Sequence, residues 1–355
     1  MTTQETSVLL IYTGGTIGMI ENPETGALES FNFHHLLDNV PELKKIGSTI
    51  STIQFDPPID SSDMDPEKWV ELVRIISENY SYFDGFVILH GTDTMAYTAS
   101  ALSFMLENLE KPVILTGSQL PIGVLRTDGK ENLITAIEIA SAKENGHPVV
   151  PEVCILFENF LMRGNRTRKI NAENFNAFRS QNYPPLARVG IHIKYDTHLV
   201  NYHPYAKPLQ PHYLMDSNIV ILKIFPGINP QTVNAILNTP NLKGVVLETF
   251  GSGNAMTKQW FLNALKAAID RGIVIVNITQ CIGGSVQMGL YETGNRLSEV
   301  GVISGNDMTT EAALTKLMFL FGHKCNVKKV CEKLHQSLAG EVTLPYQPIS
   351  KLDEL

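Results

Sequence analysis

One short stretch near the start of the chain, residues 7–19, most constrains the fold. It reads SVLLIYTGGTIGM, so five uncharged apolar or aromatic residues run directly into Thr13-Gly14-Gly15-Thr16. A short apolar run that ends in glycines is typical of a strand buried on both faces, with a loop at its carboxyl end. Ligands bind at that end in open α/β sheets. Because the two glycines let the backbone bend sharply, Thr16 is the first candidate for a nucleophile.

Strands and helices alternate through the first half of the chain. Further strands are expected over 49–55, 86–89, 112–115 and 153–157. Helices are expected from Asp65 onward, over 96–109 and 130–143, with a weaker one over 31–38. Residues 20–28 are polar and turn-rich and are expected to form a loop. This alternation predicts a parallel, doubly wound α/β sheet.

The alternation stops between residues 195 and 211, where prolines and histidines replace the apolar pattern and predict a linker. Beyond it, strands are expected over 219–224, 245–247, 273–278 and 302–304, and helices over 230–237, 258–271, 310–321 and 327–338. The chain is therefore predicted to be α/β. A larger N-terminal parallel-sheet domain at 1–194 is joined by the linker at 195–211 to a smaller C-terminal α/β domain at 212–355.

Charge and cysteine content disfavour several function classes. A net charge of -8, from 28 Lys+Arg against 36 Asp+Glu, predicts no nucleic acid and no anionic membrane as partner. The four cysteines form no CxxC pair and the ten histidines form no HExxH, so no metal is expected. Cys281 is interpreted first as a small buried side chain. The more specific alternative is that it lines a ligand pocket. Sparse cysteine and an N-terminus without a secretory pattern predict a cytoplasmic protein.

Three polar loops follow predicted strands and are rich in hydroxyl, carboxylate and glycine residues. They read TGGT at 13–16, DSSD at 60–63 and HGTDT at 90–94. Because the carboxyl ends of parallel strands share one edge of a sheet, the three loops can converge there. Carboxylates would bind an ammonium group, while hydroxyls and backbone N–H groups would bind a carboxylate and a developing oxyanion. The sequence therefore predicts a pocket for a small zwitterion.

Each loop taken alone also fits ordinary turn and helix-cap chemistry, since Gly, Ser, Thr and Asp favour both. Thr92 and Asp93, for example, could simply cap the helix that follows them. Three such loops after three successive strands favour a site over three unrelated turns. Phosphate binding is disfavoured, because GGTIG at 14–18 matches neither the GxGxxG nor the GxxxxGK[ST] spacing.

A nucleophilic threonine needs a group that accepts its proton. The basic cluster of the chain lies at 163–169 and contains Arg163, Arg166, Arg168 and Lys169. Most of this cluster is interpreted as a solvated surface turn. Lys169, placed beside an Asp and a Thr hydroxyl, could act as the proton acceptor. His90 is interpreted as a buried structural histidine, because no second group that would orient it is recognisable.

The TGGTI stretch at 13–17 and the HGTDTM stretch at 90–95 together resemble the two signatures of bacterial-type L-asparaginases, most closely the type I, cytosolic branch. SSDM at 61–64, RGNR at 163–166 and TQC at 279–281 support the resemblance, which spans both predicted domains. The family implies two α/β domains joined by a linker, and hydrolysis of L-asparagine to L-aspartate and ammonia without a cofactor. It also implies a homodimer, often paired into a homotetramer, with active sites near the subunit interfaces.

The resemblance assigns catalytic roles by motif. Thr16 would be the nucleophile that forms an acyl-enzyme. Thr92, Asp93 and Lys169 would form a hydroxyl–acid–lysine group that activates water or the nucleophile. Thr92 and Asp93 would also contact the substrate, and Asp93 would hold its α-ammonium group.

Binding roles follow from the same resemblance. Asp60, Ser61 and Ser62 would form the substrate-binding loop. Asn254, in the GSGN stretch at 251–254, matches a position that reaches the neighbouring subunit's active site. A weak glutaminase activity is compatible with these motifs, because one methylene in a pocket changes binding by only about 1–3 kcal/mol.

Two positions depart from the family pattern. Many relatives carry a tyrosine on the loop after the nucleophile, whereas this chain reads Gly26-Ala27-Leu28 there. Either Tyr12 or a residue elsewhere replaces it, or the partner group chiefly activates Thr16. Some type I enzymes bind asparagine as an effector near the equivalent of Cys281, through an arginine. Glu248 occupies that arginine's position here, and its carboxylate would repel the effector's carboxylate, so we expect no allostery by that route.

Two other functions fit parts of the same pattern. The amidase subunit of a tRNA-dependent amidotransferase uses a similar TGGT domain, but it needs an appended N-terminal domain, and the arginine-rich segment alone does not make a tRNA surface. A non-catalytic amino-acid-binding sensor would use the same two-lobed pocket, and it predicts tight binding without turnover.

Overall fold

The computed structural model describes residues 6–21, 28–30, 40–202, 207–289 and 292–344. The chain forms two compact units, Met1–Tyr213 and Leu214–Leu355. The linker expected at 195–211 stays a prediction. Within the first unit, Gln210–Pro211 pairs antiparallel with Leu106–Glu107. The helix expected over 31–38 lies outside the described residues.

An eight-stranded sheet organises the first unit. Its strands are β1 (Thr6–Tyr12), β2 (Ser48–Gln54), β3 (Gly85–Leu89), β4 (Val113–Thr116), β5 (Val153–Phe157), β6 (Phe160–Arg163), β7 (Ala187–Val189) and β8 (Ile193–Tyr195). They lie in the order β8-β7-β6-β5-β4-β3-β1-β2. The strands from β5 to β2 in this order are parallel, whereas β6, β7 and β8 pair antiparallel.

The sheet is therefore mixed, and the expectation of a wholly parallel sheet is corrected at one edge. Only residues 158 and 159 separate β5 from β6. A connection this short joins antiparallel neighbours, because a parallel crossover needs a dozen or more residues. The parallel part keeps the α/β pattern that the sequence predicts.

In the described part of the chain, three helices connect the parallel strands: α1 (Pro66–Asn79), α2 (Met95–Met105) and α3 (Gly129–Ser141). The side chain of Asp65 caps α1 by accepting a hydrogen bond from the Lys68 N–H at 2.9 Å. Helix α2 ends at Met105 rather than Leu109. Asn108 adopts a left-handed φ of 60°, and Leu106–Glu107 forms a short strand in place of the last helical turn.

Short elements complete the first unit. Antiparallel pairs join Met19–Glu21 to Leu28–Ser30, Lys143–Glu144 to His147–Pro148, and Arg168–Lys169 to Phe178–Arg179. Single 3-10 turns lie at Thr16–Gly18, Pro41–Lys45, Ser61–Asp63, Gly164–Arg166 and Thr197–Leu199. The stretch 20–28 was expected to be a loop. Its first two residues and its last residue instead belong to the antiparallel pair of Met19–Glu21 with Leu28–Ser30.

The order of the parallel strands locates a ligand crevice. The chain passes from β1 to β2 on one side and then to β3 on the other side of β1. Two crossovers that leave in opposite directions open a crevice beyond the carboxyl ends of the strands between them. Loops 13–16 and 90–94, which follow β1 and β3, both begin at this switch point.

The second unit is a four-stranded parallel sheet with helices. Its strands are β9 (Ile219–Lys223), β10 (Gly244–Thr249), β11 (Val274–Thr279) and β12 (Ile303–Ser304), in that spatial order. Its helices are α4 (Pro230–Leu237), α5 (Gln259–Asp270), α6 (Glu292–Glu299), α7 (Thr310–Gly322) and α8 (Val327–Leu334). The four strands and three of the helices match the expected positions.

Two helices of the second unit differ from expectation. Helix α8 ends at Leu334, because the Leu338 and Ala339 N–H groups bond the Glu341 carboxylate instead of continuing the helix. Helix α6 escapes prediction, since its sequence ETGNRLSE holds a single large apolar residue, Leu297. None of the helices in the described part of the chain is long and apolar enough to cross a membrane.

The expectation of a solvated turn at 163–169 is wrong for its first half. Arg163 and Arg166 are each only 2% exposed. Two atoms of the Arg163 guanidinium bond the Glu152 carboxylate, with Nε–Oε2 at 2.6 Å and Nη2–Oε1 at 3.0 Å. The same guanidinium donates to the Leu199 carbonyl oxygen at 2.9 Å and lies 4.4 Å from the centre of the Tyr183 ring. The arginines therefore tie the end of the sheet to the segment that covers it.

We expect Arg163→Ala to lower the free energy of unfolding by about 3–5 kcal/mol, because it leaves the buried Glu152 carboxylate without its cation. Chemical denaturation monitored by circular dichroism measures the change. Arg74→Ala is the matched control, since Arg74 is exposed on α1, and it should change stability by no more than about 0.5 kcal/mol. Equal effects of the two substitutions would contradict this account of the buried pair.

Candidate active site

Glycines let the three predicted loops meet. A Cβ placed on Gly15 would lie 2.6 Å from the Cα of Gly91, and a Cβ on Gly91 would lie 2.5 Å from the Ser61 Oγ. A Cβ on Gly14 would overlap the Ile59 carbonyl oxygen. The φ angles of Gly14 and Gly15, 133° and 92°, also favour glycine. The structure thus brings the loops at 13–16, 60–63 and 90–94 into direct contact.

The two threonines of the first loop differ in their surroundings. Thr13 is buried, and its hydroxyl donates to the Leu89 carbonyl oxygen at 3.0 Å. Thr16 begins the 3-10 turn that follows and is partly exposed. A hydroxyl that must attack a bound molecule needs this kind of access, so the geometry favours Thr16 over Thr13.

Tyr12 lies at the end of β1, beneath the same loop. Its hydroxyl donates to the Gly15 carbonyl oxygen at 3.4 Å. Burial raises the pKa of Tyr12 to about 12, so the phenol keeps its proton at neutral pH. This disfavours Tyr12 as the proton acceptor for Thr16. The stretch at Gly26 and Ala27, where relatives carry a tyrosine, lies outside the described residues.

Lys169 joins the loop at 90–94 from the far end of the sheet. Its Nζ lies 2.6 Å from the Thr92 Oγ1 and 2.7 Å from the Asp93 Oδ1. The short antiparallel pairing of Lys169 with Phe178 holds the backbone that carries this side chain. In its neutral form, an amine this close to a hydroxyl can take up the hydroxyl proton, while the carboxylate favours the ammonium that results. The three side chains therefore form one hydrogen-bonded group with the chemistry that proton transfer requires.

Gln119 belongs to this group and was missed in the sequence. Its Nε2 donates to the carbonyl oxygens of Ala172 and Asn174, at 3.2 Å and 3.0 Å. These two bonds leave its Oε1 facing the Thr92 hydroxyl, at 3.5 Å. Gln119 thereby ties the segment after Lys169 to the loop that carries Thr92. The signal was the polar end of the strand before it, TGSQ at 116–119, which resembles the other loops.

The second loop turns its own side chains toward each other. Asp60 caps the turn Ser61–Asp63 and accepts hydrogen bonds from the Ser62 N–H and hydroxyl, both at 2.8 Å. These bonds lower the pKa of the Asp60 carboxyl, which therefore stays ionised near neutral pH. Ser61 is buried under Gly91, and its carbonyl oxygen accepts from the Thr94 hydroxyl at 2.6 Å. Asp60 and Ser62 remain exposed and available to a ligand.

His90 lies in the core, directly behind the loop at 90–94. It is 1% exposed, and burial lowers its pKa to about 4 against a smaller opposing effect of its bond to the Gly91 carbonyl. Its Nδ1 lies 2.7 Å from the Gly91 carbonyl oxygen, and its Nε2 lies 2.9 Å from the Thr98 Oγ1. The imidazole is therefore neutral in the folded protein, in keeping with a buried histidine.

Comparison with known proteins identifies the family. Residues 7–201 match the family model "Asparaginase, N-terminal", and residues 218–334 match "Glutaminase/Asparaginase C-terminal domain". This chain belongs to the asparaginase family. It is 45% identical to L-asparaginase 1 of Escherichia coli (strain K12) over 344 residues, which cover 96% of this chain and 99% of the relative. The family resemblance and the two-part α/β fold expected from the sequence are thus confirmed.

This asparaginase-family chain is also similar to a solved structure and to part of a longer protein. The crystal structure of L-asparaginase I from Vibrio cholerae is 42% identical, with a TM-score of 0.87, and the match covers 96% of this chain and 100% of that one. A "60 kDa lysophospholipase" of Mus musculus is 42% identical over 367 residues, which cover 96% of this chain but 63% of that protein. The same family sequence thus also occurs within a longer protein of a different name.

The remaining candidates lie in the second unit of the asparaginase chain. Asn254 closes a tight turn after β10, where its backbone exchanges hydrogen bonds with Phe250 at 2.8 and 2.9 Å. Cys281 is exposed, so the expectation of a buried side chain is wrong. It follows the end of β11, and its N–H donates to the Thr279 hydroxyl at 3.0 Å, which turns the chain outward.

Glu248, the residue expected in place of the relatives' arginine, is buried. Its Oε1 accepts a hydrogen bond from the Thr310 hydroxyl at 2.7 Å, and its Oε2 lies 3.4 Å from the Lys223 Nζ. Among the described residues, no group of three or more His, Cys, Asp and Glu side chains could hold a metal ion.

The lowered pKa of His90 predicts a pH-dependent stability. Between about pH 6.5 and 4 the unfolded chain binds a proton at this residue that the folded chain does not bind, so the free energy of unfolding falls as the pH falls. The loss should be about 3 kcal/mol. Urea unfolding of wild type and His90→Asn at fixed protein concentration measures it, because the variant lacks this contribution. Identical pH slopes for the two proteins would contradict a neutral, buried His90.

Proposed function

We propose that this protein is an L-asparagine amidohydrolase that releases L-aspartate and ammonia through a Thr16 acyl-enzyme. One observation carries the proposal. The Lys169 Nζ contacts both Thr92 and Asp93, at 2.6 and 2.7 Å, on a loop whose Gly91 packs against Gly15, the residue before Thr16. A hydroxyl nucleophile and a proton-accepting group are thereby held at one edge of the sheet. The two relatives named L-asparaginase support the substrate.

The charges of the site suit a small zwitterion. The carboxylates of Asp60 and Asp93 are exposed and would bind the substrate's α-ammonium group. The hydroxyl of Ser62 and the backbone N–H groups of the loops would bind its α-carboxylate. Helix α2 begins at Met95, and the positive end of its dipole favours an anion near this loop.

The reaction needs only the side chains and water. The Thr16 Oγ attacks the side-chain amide carbon, and its proton passes to the leaving nitrogen, which departs as ammonia. Water, activated by the Thr92–Asp93–Lys169 group, then attacks the ester, returns the proton to Thr16 and releases L-aspartate. Backbone N–H groups stabilise the oxyanion in both steps. No bond is oxidised or reduced, so the steps require no cofactor.

Assembly and location extend the proposal. We infer a homodimer or homotetramer in which Asn254 enters the active site of the neighbouring subunit. All four cysteines are free thiols, including the exposed Cys281, which supports a reducing compartment and hence the cytoplasm. Cell fractionation with a catalytic assay tests the location.

Ammonia release from L-asparagine tests the chemistry. We expect Thr16→Ala to lower kcat by about 10³-fold or more, because it removes the nucleophile. Lys169→Met should lower kcat to a similar extent, since residues that act as a unit are not additive. Thr13→Ala is the matched control from the same loop, and it should keep kcat within about tenfold while losing the stability of one buried hydrogen bond, about 1 kcal/mol.

Three results would count against the proposal. Undiminished turnover in Thr16→Ala would exclude the acyl-enzyme. Release of fatty acid from lysophosphatidylcholine without ammonia release from asparagine would instead indicate a lysophospholipase, the activity for which the mouse relative is named. Thermal stabilisation by asparagine without any turnover would indicate a sensor.

Complementation tests the shared site. We expect Thr16→Ala and Asn254→Ala homo-oligomers to be weakly active. When the two are co-expressed in equal amounts, half of the dimers are mixed, and each has one site with both residues intact. About a quarter of the wild-type activity should therefore return. If mixing restores nothing beyond the average of the two parents, Asn254 acts within its own subunit or not at all.

A further inference from the structure

A line of buried hydrogen bonds lies behind the loop that carries Thr92. The Trp69 Nε1 on α1 lies 3.0 Å from the Thr98 Oγ1 on α2. The Thr98 Oγ1 lies 2.9 Å from the His90 Nε2, and the His90 Nδ1 lies 2.7 Å from the Gly91 carbonyl oxygen. Trp69, Thr98 and His90 are all buried. The mechanism above uses none of these three side chains.

The direction of every proton in this line follows from the chemistry of its ends. The Gly91 carbonyl can only accept, so His90 Nδ1 carries the proton. The indole N–H of Trp69 can only donate, so it gives its proton to Thr98 Oγ1. Thr98 in turn donates to the unprotonated His90 Nε2. The line has one consistent arrangement, and it requires the neutral Nδ1–H tautomer of His90.

This arrangement controls a peptide group beside the catalytic residues. The bond from His90 holds the Gly91 carbonyl toward the core. In a trans peptide the carbonyl and the following N–H point in opposite directions. The Thr92 N–H must therefore point away from the buried imidazole. Glycine itself permits many backbone angles, so the bond from His90 adds a specific restraint on the rotation of this peptide.

We propose that His90, held by Thr98 and Trp69, is a positioning residue that aims the Thr92 N–H at the oxygen of the reacting substrate carbonyl. The proposal rests on the amidohydrolase function proposed above. An N–H donor stabilises a developing oxyanion only if it is aligned before the reaction. His90 touches no substrate and exchanges no proton with it. It acts through the orientation of the Gly91–Thr92 peptide.

Two substitutions of His90 separate positioning from packing. The amide nitrogen of Asn occupies nearly the place of a histidine Nδ1, whereas the amide of Gln reaches the place of Nε2. His90→Gln keeps more side-chain volume but loses the donor to Gly91, and it should lower kcat about 10²-fold with KM changed little. His90→Asn loses volume but keeps that donor, and it should restore kcat at least tenfold relative to His90→Gln. A purely packing role predicts the reverse order.

Substitutions of Thr98 test the same line from farther away. Thr98→Val has nearly the same shape but cannot donate to His90 Nε2, so the Nδ1–H tautomer loses its support and kcat should fall about tenfold. Thr98→Ser keeps the hydroxyl and should restore kcat although it removes a methyl group. This pair decides the question if a His90 variant fails to fold.

The tautomer itself is measurable without activity. The ¹⁵N spectrum of protein labelled at histidine, with His90→Asn used for assignment, should show His90 protonated at Nδ1 and unprotonated at Nε2 in the wild type. Protonation at Nε2 overturns the proposal, as does equal kcat in His90→Gln and His90→Asn or a loss confined to KM. A wild type that releases no ammonia contradicts the proposed function itself, and the spectrum still reports whether His90 holds the Gly91 carbonyl.

Discussion

The contact between Gly15 and Gly91 is the constraint on which the candidate site depends. Adjacent parallel strands lie about 4.8 Å apart, so the loops that leave β1 and β3 can stay in contact only where neither carries a side chain between them. Gly91 then rests against the Ser61 Oγ, which brings in the third loop. A methyl group at Gly15 or Gly91 would separate the loops and move the hydroxyls and carboxylates that the proposed reaction requires.

Buried polar groups hold the loops from behind. Thr13 bonds the Leu89 carbonyl, Tyr12 bonds the Gly15 carbonyl, and His90 bonds the Gly91 carbonyl. The Leu89 and Gly15 carbonyl oxygens also accept from the Thr13 and Gly18 N–H groups, so the side-chain bonds are additional restraints there. Each of the three side-chain bonds restricts the rotation of a peptide near a candidate residue. The interior of this asparaginase-family protein is thus polar where it supports the site. At the other edge of the sheet, the buried Arg163–Glu152 pair likewise holds a covering segment in place, through the bond from Arg163 to the Leu199 carbonyl.

The sequence predicted those features that depend on local chemistry. Apolar runs placed the strands, and the Asp65 cap placed α1. Predictions failed where burial depends on a covering segment. Arg163 and Arg166 look like residues of a solvated turn, but the Glu152 carboxylate and the segment around Leu199 enclose Arg163. Cys281 looks like a core residue, but the turn after β11 points it outward. Gln119 was missed because its partners, at Ala172 and Asn174, lie more than fifty residues away in the chain.

The sequence by itself determined the fold class and the three polar loops, because apolar periodicity and the positions of small polar residues act over a few residues, and its motifs resembled those of the family. The family motif already favoured Thr16 over Thr13 as the nucleophile, and the tertiary structure added the physical difference between these two threonines. It gives the Thr13 hydroxyl to the Leu89 carbonyl and leaves Thr16 partly exposed. It also brought Lys169 to Thr92 and Asp93, across 77 and 76 residues of chain, respectively. Such pairings depend on strand order and on what covers each strand, and no local pattern encodes either.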